Sequence, residues 1–246
     1  CLASPLRDVY KRQPRIRRRL PALNVEFELD RVSVESYLPF RTIKRGKILT
    51  MERTYKWEHV KTPLIRNEAA VHFLGAGLTA SGVQYGDGYK ATWELRAAEN
   101  WVTERVSVNV EGDGWGRSLE LFRSEQGVWS AETNEEGAQP EDLPSPGIVQ
   151  SADLKAALDC DLGLCPLTNT MPIRRLTLLE TQVPKTQLIM AWIDIPSLQV
   201  IASDQYYSSV DAETVRYESG TRGVDVELEV DGDGVVVHYP DLARRV

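Results

Sequence analysis

Apolar and polar side chains alternate along much of this chain, and this period of two constrains the fold more than any other feature. In residues 89–95 the apolar side chains are Tyr89, Ala91, Trp93 and Leu95, with Lys, Thr and Glu between them. Residues 102–110 alternate in the same way, with Val102, Val106, Val108 and Val110 sharing one parity. Such segments are predicted to be half-buried β-strands. Long amphipathic helical patterns are scarce, so the predicted fold class is all-β.

Short runs between turn residues predict eight further strands. They are Ser118–Arg123, Val128–Glu132, Ile173–Leu179, Gln187–Ile195, Val200–Tyr207, Thr214–Tyr217, Val224–Val230 and Val235–Tyr239. The last two flank Asp231-Gly-Asp-Gly234, which is typical of a tight hairpin turn and lacks the later ligands of a calcium loop, so these strands are predicted to pair antiparallel. The Pro-rich segment 134–150 is predicted to be a mobile linker or flap.

The charge is distributed unevenly along the sequence. The chain has 246 residues and a formal net charge of -7 from 29 Lys and Arg and 36 Asp and Glu. Residues 1–50 contain 12 of the basic and 5 of the acidic residues, so residues 51–246 contain 17 basic and 31 acidic ones. Asp8 to Gln13 also matches the translation of a transposon end used to build sequencing libraries. We therefore expect residues 1–50 to be a disordered, non-native leader and residues 51–246 to form one domain.

The acidic remainder limits the classes of function that the sequence supports. Its net negative charge disfavours nucleic acid as a partner. No apolar run after Met51 is long enough for a transmembrane segment, and no export signal is apparent, so a cytoplasmic location is expected. Cys160 and Cys165 lack the nearby Cys or His partners of a zinc site and are expected to be reduced thiols.

Motifs for catalysis are absent from the sequence. There is no G-x-S-x-G element for an activated serine, and His59, His72 and His238 lie far apart without the spacing of metal ligands. The sequence therefore predicts no catalytic residue, no metal and no cofactor.

The densest group of unusual residues lies between Asp159 and Leu176. Asn169 and Thr170 are predicted to close a polar turn. If a strand begins at Ile173, then Arg174 and Arg175 point to opposite faces and one of them faces the interior. A buried guanidinium needs an anion. The favoured interpretation is an ion pair with Asp159 or Asp161, and the alternative is a phosphate or carboxylate of a ligand.

The run Pro166-Leu-Thr-Asn-Thr-Met-Pro-Ile-Arg-Arg-Leu176 resembles the signature of a bacterial family called Putative glycolipid-binding. Further similarities are Trp192-x-x-x-Pro196, Val215-Arg-Tyr217 and Tyr239-Pro-Asp-Leu-x-Arg244, and the resemblance extends from about Met51 to Val246. It implies a strongly curved antiparallel sheet that forms an open or spiral barrel, similar to bacterial carriers of lipoproteins and lipids. It brings no catalytic residues with it.

The function that follows from the resemblance is non-enzymatic binding of an amphiphilic small molecule, such as a glycolipid, in the concave face of the sheet. Aromatic side chains are expected to line the groove, and one arginine to hold an anionic head group. The candidate ligand-binding residues are Arg174, Arg175, Asn169, Thr170, Asp161, Trp93, Trp192, Tyr206 and Tyr217. The alternatives are an enzyme acting on a small anionic substrate in the same cavity, using Arg175, Asn169 or Asp161, and an interaction module with a filled core and no ligand.

Overall fold

The computed structural model describes residues 52–62 and 64–246, and the predicted leader, residues 1–50, lies outside the described residues. One large curved sheet of 15 strands dominates the fold and does not close into a barrel. The first seven strands are β1 (Glu52–His59), β2 (Arg66–Phe73), β3 (Leu78–Gly86), β4 (Tyr89–Ala97), β5 (Thr103–Gly112), β6 (Trp115–Arg123) and β7 (Trp129–Gly137). The others are β8 (Gly147–Ile148), β9 (Asp159–Leu162), β10 (Thr186–Ile193), β11 (Gln199–Ser209), β12 (Thr214–Ser219), β13 (Val224–Val230), β14 (Val236–Tyr239) and β15 (Ala243–Arg245).

The strands follow one another across the sheet in the order β7, β6, β5, β4, β3, β2, β1, β15, β14, β13, β12, β11, β10, β9. Most neighbours are antiparallel, as the sequence predicts, but β9 pairs parallel with β10 and β8 pairs parallel with β11. The pairing of β1 with β15 joins the first and last strands of the domain. The predicted all-β class and the open, curved sheet are therefore confirmed.

The alternation in β4 is the clearest case of sequence dictating local structure. Ala91, Trp93 and Leu95 are all buried, and the residues between them face outward. β5 departs from the prediction at its start, where Thr103 is buried and Val102 lies outside the strand. The register shifts there because Ala97 pairs with Thr103 and Arg96 pairs with Arg105, so the strand contains a β-bulge.

The predicted strand Ile173–Leu179 is wrong. Residues Thr170–Arg175 form α1, preceded by a 3-10 turn at Pro166–Asn169. Thr170, Met171, Pro172 and Ile173 are all buried in succession, so the segment has no alternation of buried and exposed side chains that would mark a half-buried strand. Short apolar runs do not distinguish a buried helical turn from a strand by periodicity alone.

Two hydrophobic cores lie on the sheet. The N-terminal core joins residues of β1–β7 to residues of β9–β11, including Trp57, Val108, Cys160 and Val200. The C-terminal core contains Ile173, Tyr207, Tyr217, Leu228 and Tyr239. β9 contacts the first core with Cys160 and Leu162, so the interior of the curved sheet holds a segment of the chain itself.

The segment predicted to be a mobile flap is bonded to the sheet. Arg117 on β6 donates hydrogen bonds to the Gln139 side chain and to the Pro144 carbonyl at 2.8 Å. The same guanidinium donates to the Ser197 carbonyl at 2.8 Å. This buried side chain therefore connects β6, the loop after β7 and the turn between β10 and β11.

Candidate functional site

Strand β9 places two carboxylates on the same face of the sheet. Side chains alternate along a strand, so Asp159 and Asp161 point one way while Cys160 and Leu162 point the other. Both carboxylates are buried, with Asp159 0% and Asp161 8% exposed. Buried acids need donors or cations around them. We call the face that carries both of them the inner face.

Arg175 supplies the cation for Asp159. Its two terminal nitrogens donate to both carboxylate oxygens in a bidentate ion pair. Burial raises the pKa of Asp159, and the guanidinium of Arg175 opposes that rise. The predicted ion pair between an inward arginine and a β9 aspartate is therefore confirmed, although Arg175 reaches it from the end of α1 and not from a strand.

Arg174 points to a different part of the surface. Its guanidinium lies 5.3 Å from the ring centroid of Trp101 and contacts Glu180 at 3.5 Å. The sequence predicts that the two arginines diverge as neighbours in a strand. They also diverge in α1, because successive residues of a helix are separated by about 100° around its axis. Of the two candidates, Arg175 faces the interior.

Asp161 is the centre of a polar network on the inner face. It accepts hydrogen bonds from Thr168 Oγ1 at 2.8 Å, Gln205 Nε2 at 2.6 Å and Arg222 Nη2 at 3.2 Å. These donors come from the turn before α1, from β11 and from the turn between β12 and β13. Elements far apart in the sequence therefore converge on one carboxylate.

Three buried tyrosines extend this network towards the C-terminal core. The Tyr207 hydroxyl lies 2.9 Å from Asn169 Oδ1 and 3.1 Å from Gln205 Oε1, and it can donate to one of them at a time. The ring centroids of Tyr207 and Tyr217 are 5.1 Å apart, and those of Tyr217 and Tyr239 are 5.9 Å apart. Burial, with a contribution from Asp161, raises the pKa of Tyr217 to about 12. These phenols are therefore neutral donors at physiological pH.

A small cavity of about 20 Å³ opens at the centre of the network, and we call it the Asp161 pit. That volume holds about one water molecule. Its lining consists of Asp161, Leu162, Leu164, Cys165, Asn169, Tyr217, Arg222, Tyr239 and Leu242. The pit therefore combines a carboxylate, a guanidinium, an amide and phenols with aliphatic side chains.

Arg222 covers the side of the pit near Trp192. Its side chain is 29% exposed, and its guanidinium lies 5.2 Å from the Trp192 ring centroid. Nη2 also donates to the Tyr217 hydroxyl at 2.7 Å. Sequence reasoning missed Arg222 because an arginine in the turn Gly220-Thr-Arg-Gly223 has the pattern of a solvated side chain. Its partner is 61 residues away, and no local signal reveals the contact.

A wider depression of about 300 Å³ lies where β10 extends beyond the end of β9. Its lining is mainly aliphatic and consists of Ala156, Leu158, Arg175, Gln187, Leu188 and Ile189. We call it the aliphatic depression. Leu188 shares the inner face with Gln205, whose amide donates to Asp161, whereas Ile189 points to the opposite face of β10. The depression therefore lies at the edge of the sheet and reaches the inner face through Leu188, and it shares no lining residue with the pit.

The remaining predicted site residues divide into two groups. Trp192 does not line the Asp161 pit but lies beside it, against Arg222 and paired with Asp161 across the strands, and Thr170 is fully buried in α1. Trp93 is 4% exposed in the N-terminal core, and Tyr206 is on the opposite face of β11 from Tyr207, with Lys185 Nζ 4.6 Å from its ring centroid. The structure thus gathers Asp161, Asn169, Tyr217 and Trp192 at one place, with Arg175 on the adjacent carboxylate, and separates them from Trp93, Tyr206 and Arg174.

Several buried polar atoms near these elements lack a hydrogen-bond partner among the described residues. They are Trp192 Nε1, Ser203 Oγ and Thr170 Oγ1. Ser203 is completely buried and follows the same parity as Gln205 on β11. Buried polar atoms are normally paired, so such atoms indicate a place for water or ligand groups.

Larger grooves of about 370 and 470 Å³ lie on the outer face of the sheet. Both are lined by Ser81, Glu94, Arg105 and Ser107. These side chains are largely solvated, and Arg105 is paired with Glu120 at 2.8 Å. The groove of about 370 Å³ is also lined by Ala70, Ala80 and Leu95, so its walls are both polar and apolar. Its charged side chains are exposed, whereas the inner face carries buried polar groups that converge on one carboxylate.

The described part of the chain contains no group of three or more His, Cys, Asp or Glu side chains arranged for a metal ion. Cys160 and Cys165 are free and buried, and burial raises the pKa of Cys165 to about 12. Among residues 52–62 and 64–246, no helix has both the length and the apolar composition needed to cross a bilayer.

The open, curved all-β sheet with a polar network inside it defines a fold for which related proteins are known. The family described as Putative glycolipid-binding matches residues 54–245, and the chain belongs to that family. A crystal structure of a DUF1089 family protein from Pseudomonas aeruginosa is similar, with a TM-score of 0.57 and 24% sequence identity over 73% of this chain and 92% of that one. At this identity the similarity shows the fold alone. No curated protein matches the sequence.

Proposed function

We propose that this protein binds an amphiphilic small molecule, a glycolipid or another acylated compound, on the inner, concave face of its sheet and without catalysing a reaction. The observation that carries the proposal is the convergence of Asp161, Asn169, Tyr217 and Arg222 with aliphatic side chains at one cavity, with Trp192 next to it against Arg222. Family membership supports a binding role. Ligand sites in proteins typically combine apolar walls with a few placed polar groups.

The Asp161 pit is suited to the polar part of such a ligand. Asp161 and Asn169 offer acceptors, Arg222 offers donors, and the Tyr217 hydroxyl offers both. The pit itself holds about one water molecule, so a head group would enter where Arg222 now lies against Trp192. Because Arg222 comes from an exposed turn, its movement need not disturb the cores.

The aliphatic depression is suited to the hydrocarbon part. Its volume of about 300 Å³ is at the lower end of the range usual for ligand sites. Leu158, Leu188 and Ile189 are each half-buried, so they retain apolar surface for a chain to cover. Each buried methylene would add about 0.8 kcal/mol to the binding free energy.

An enzyme is the second candidate, because Asp161, Tyr217 and Arg222 lie within hydrogen-bond reach of one another around one cavity. The chemistry of the cluster favours binding over catalysis. Asp161 already accepts three hydrogen bonds, and a phenol whose pKa is raised to about 12 is a poor base at neutral pH. An interaction module without a ligand is the third candidate, and it predicts no bound small molecule at all.

Native mass spectrometry of the protein purified from a bacterial host tests the proposal. The expected result is additional mass from co-purified lipid, or uptake of lipid from an extract. Ile189→Glu, which places a charge in the aliphatic depression, is expected to abolish the uptake. The matched control is Val128→Glu, because Val128 is an aliphatic side chain that is already 64% exposed elsewhere. A clean apo mass under all of these conditions contradicts the proposal.

A further inference from the structure

We infer that the Asp161 pit selects an uncharged, hydroxyl-bearing head group, such as a glycosyl group, over an anionic one. The inference rests on the proposed function and goes further by naming the chemical class that the pit accepts. It replaces the expectation that an arginine in this segment holds a phosphate or carboxylate of the ligand.

The pairing of charges on the inner face is the first argument. Each β9 carboxylate already has its own guanidinium, Asp159 with Arg175 and Asp161 with Arg222. The charged side chains that line the pit are Asp161 and Arg222, so the lining is neutral in sum. Neither arginine is left to neutralise a ligand anion.

An anionic head group would therefore meet Asp161 at close range. It would have to share Arg222 with a carboxylate that is 8% exposed, and repulsion between two anions is weakly screened in such a buried place. A hydroxyl group does not have this difficulty. It can donate to Asp161 or Asn169 and accept from Arg222 or Tyr217, so it can bond to both the negative and the positive side chain of the lining.

The position of Trp192 is the second, independent argument. Arg222 occupies one side of its indole ring, 5.2 Å from the centroid, and the indole N–H is buried without a partner among the described residues. A sugar ring has an apolar face and hydroxyl groups around its edge, so it can stack on the Trp192 indole in place of the Arg222 guanidinium. Its hydroxyl groups would then reach Asp161, which pairs with Trp192 across β9 and β10.

The turn that carries Arg222 permits this exchange. Residues 220–223 are exposed, and Gly223 has a φ of +65° with nothing within 4 Å of its missing Cβ. Arg222 is attached to the pit by its hydrogen bonds to Tyr217 and Asp161 and by its contact with Trp192. These are polar contacts that the ligand's own hydroxyl groups can replace.

Three probes test the inference on the full chain: n-octyl β-D-glucoside and n-octyl phosphate, each below its critical micelle concentration, and methyl β-D-glucoside. The first two share a hydrocarbon chain and differ in head-group charge, and the third carries the sugar without the chain. Binding is followed by the indole N–H resonance of Trp192, assigned with Trp192→Phe. We expect octyl glucoside to shift this resonance and to bind at least about tenfold more tightly than octyl phosphate. Methyl glucoside should bind more weakly than octyl glucoside.

Two variants test whether Asp161 and Arg222 cause the selectivity. Asp161→Asn removes the buried anion and should reverse the preference in favour of octyl phosphate. Arg222→Gln keeps the Asp161 carboxylate and removes its guanidinium partner. The affinity for octyl phosphate should therefore fall by a further factor of about ten relative to the affinity for octyl glucoside. This second variant keeps the inference testable if Asp161→Asn fails to fold. Arg216→Gln, on the same hairpin but exposed and paired with Asp225, is the matched control and should change neither affinity.

The possible failures are distinguishable. If octyl phosphate binds the native protein as tightly as octyl glucoside or more tightly, the inferred selectivity is wrong, but the proposal that the protein binds amphiphiles is retained. Octyl glucoside binding without a shift of the Trp192 resonance, or a ratio of the two affinities that Arg222→Gln leaves unchanged, also overturns the inference. If neither octyl compound binds and no lipid co-purifies, the proposed function itself fails. If methyl glucoside binds as tightly as octyl glucoside, the pit selects the sugar as inferred. The hydrocarbon chain then adds no affinity, which contradicts the proposal that the ligand is an amphiphile.

Discussion

Arg117 shows how a single residue can hold distant parts of this sheet together. Its side chain is fully buried, which is costly for a guanidinium unless its donors are satisfied. The donors are satisfied by two backbone carbonyls, those of Pro144 and Ser197, and by the side chains of Gln139 and Glu135. From the sequence, Arg117 looks like an ordinary charge near a turn, since its partners are 18 to 80 residues away.

Replacement of Arg117 by methionine is expected to lower the free energy of unfolding by about 3 kcal/mol or more, because it leaves buried acceptors without donors. Urea denaturation measures the change. Arg216→Met is the control, since Arg216 is an exposed arginine in surface ion pairs and its loss should change the stability far less. Equal effects of the two substitutions would contradict the structural role of Arg117.

The buried tyrosines predict a loss of stability at alkaline pH. Burial raises the pKa of Tyr217 to about 12 from its ordinary value of 10.0, and it raises the pKa values of Tyr207 and Tyr239 as well. In the unfolded chain these phenols ionise near pH 10, while in the folded protein they stay neutral. The stability is therefore complete below pH 10 and falls as the pH rises from 10 towards 12, by up to about 1.4 kcal/mol per pH unit for Tyr217 alone.

Urea denaturation at a series of pH values between about 9 and 11.5 measures this loss. Tyr217→Phe removes one ionising group, so its stability should fall less steeply with pH than that of the native protein. An identical pH dependence for the variant and the native protein would show that Tyr217 does not contribute.

At the scale of elements, the turn between β13 and β14 carries a testable contact with α1. Asp231 accepts hydrogen bonds from the backbone N–H groups of Asp233 and Val235, and its other oxygen contacts Arg245. The antiparallel pairing of β13 with β14 confirms the predicted hairpin turn. A Cβ on Gly234 would lie 3.1 Å from Ile173 Cγ2, and Gly234 has a φ of +77°.

Gly234→Ala is expected to lower the free energy of unfolding by about 1–3 kcal/mol, from backbone strain and from crowding against α1. The matched control is Gly232→Ala in the same turn, where an added Cβ meets nothing within 4 Å. The control should stay within about 0.5 kcal/mol of the native protein. Thermal or urea denaturation measures both, and a harmless Gly234→Ala would contradict the packing of the turn on α1.

The sequence predicts some elements well and others poorly, for a physical reason. Strands with several alternating apolar residues, such as β4 and β13, are predicted within a few residues of their bounds. β1 and β2 are not predicted from the sequence, because charged and polar residues interrupt the alternation of apolar side chains. One of these polar residues, Asn67 on β2, is nevertheless buried, and it donates to the Leu164 carbonyl at 2.8 Å. β9 is buried on both faces and so has no alternation to detect.

At the scale of the whole molecule, the order of the strands assembles the candidate site, because β9, β10, β11 and β12 are consecutive neighbours in the sheet. β9 supplies Asp161, the turn before α1 supplies Asn169, β10 supplies Trp192, and β12 and its turn supply Tyr217 and Arg222. The aromatic and acidic candidates could be chosen from the sequence, since residue type alone marks them. Which of them meet could not be predicted, because this depends on the parallel pairing of β9 with β10 and on the long-range contact of Arg222.

The domain boundary is also testable at this scale. The family match begins at residue 54 and β1 begins at Glu52, so a chain beginning at Met51 is expected to fold by itself. Its free energy of unfolding should agree with that of the full chain within about 0.5 kcal/mol. Circular dichroism and urea denaturation of the two chains give the comparison. Loss of cooperative unfolding in the shorter chain would show that residues 1–50 belong to the domain.

A crystal structure of the protein with n-octyl β-D-glucoside shows directly whether an amphiphile occupies the inner face. We expect the sugar to lie against Trp192 and Asp161 with Arg222 displaced, and the octyl chain to run towards Leu188 and Ile189 at the edge of the sheet. A ligand located instead in the outer-face grooves around Glu94 and Arg105, with Arg222 still on Trp192, would contradict this expectation.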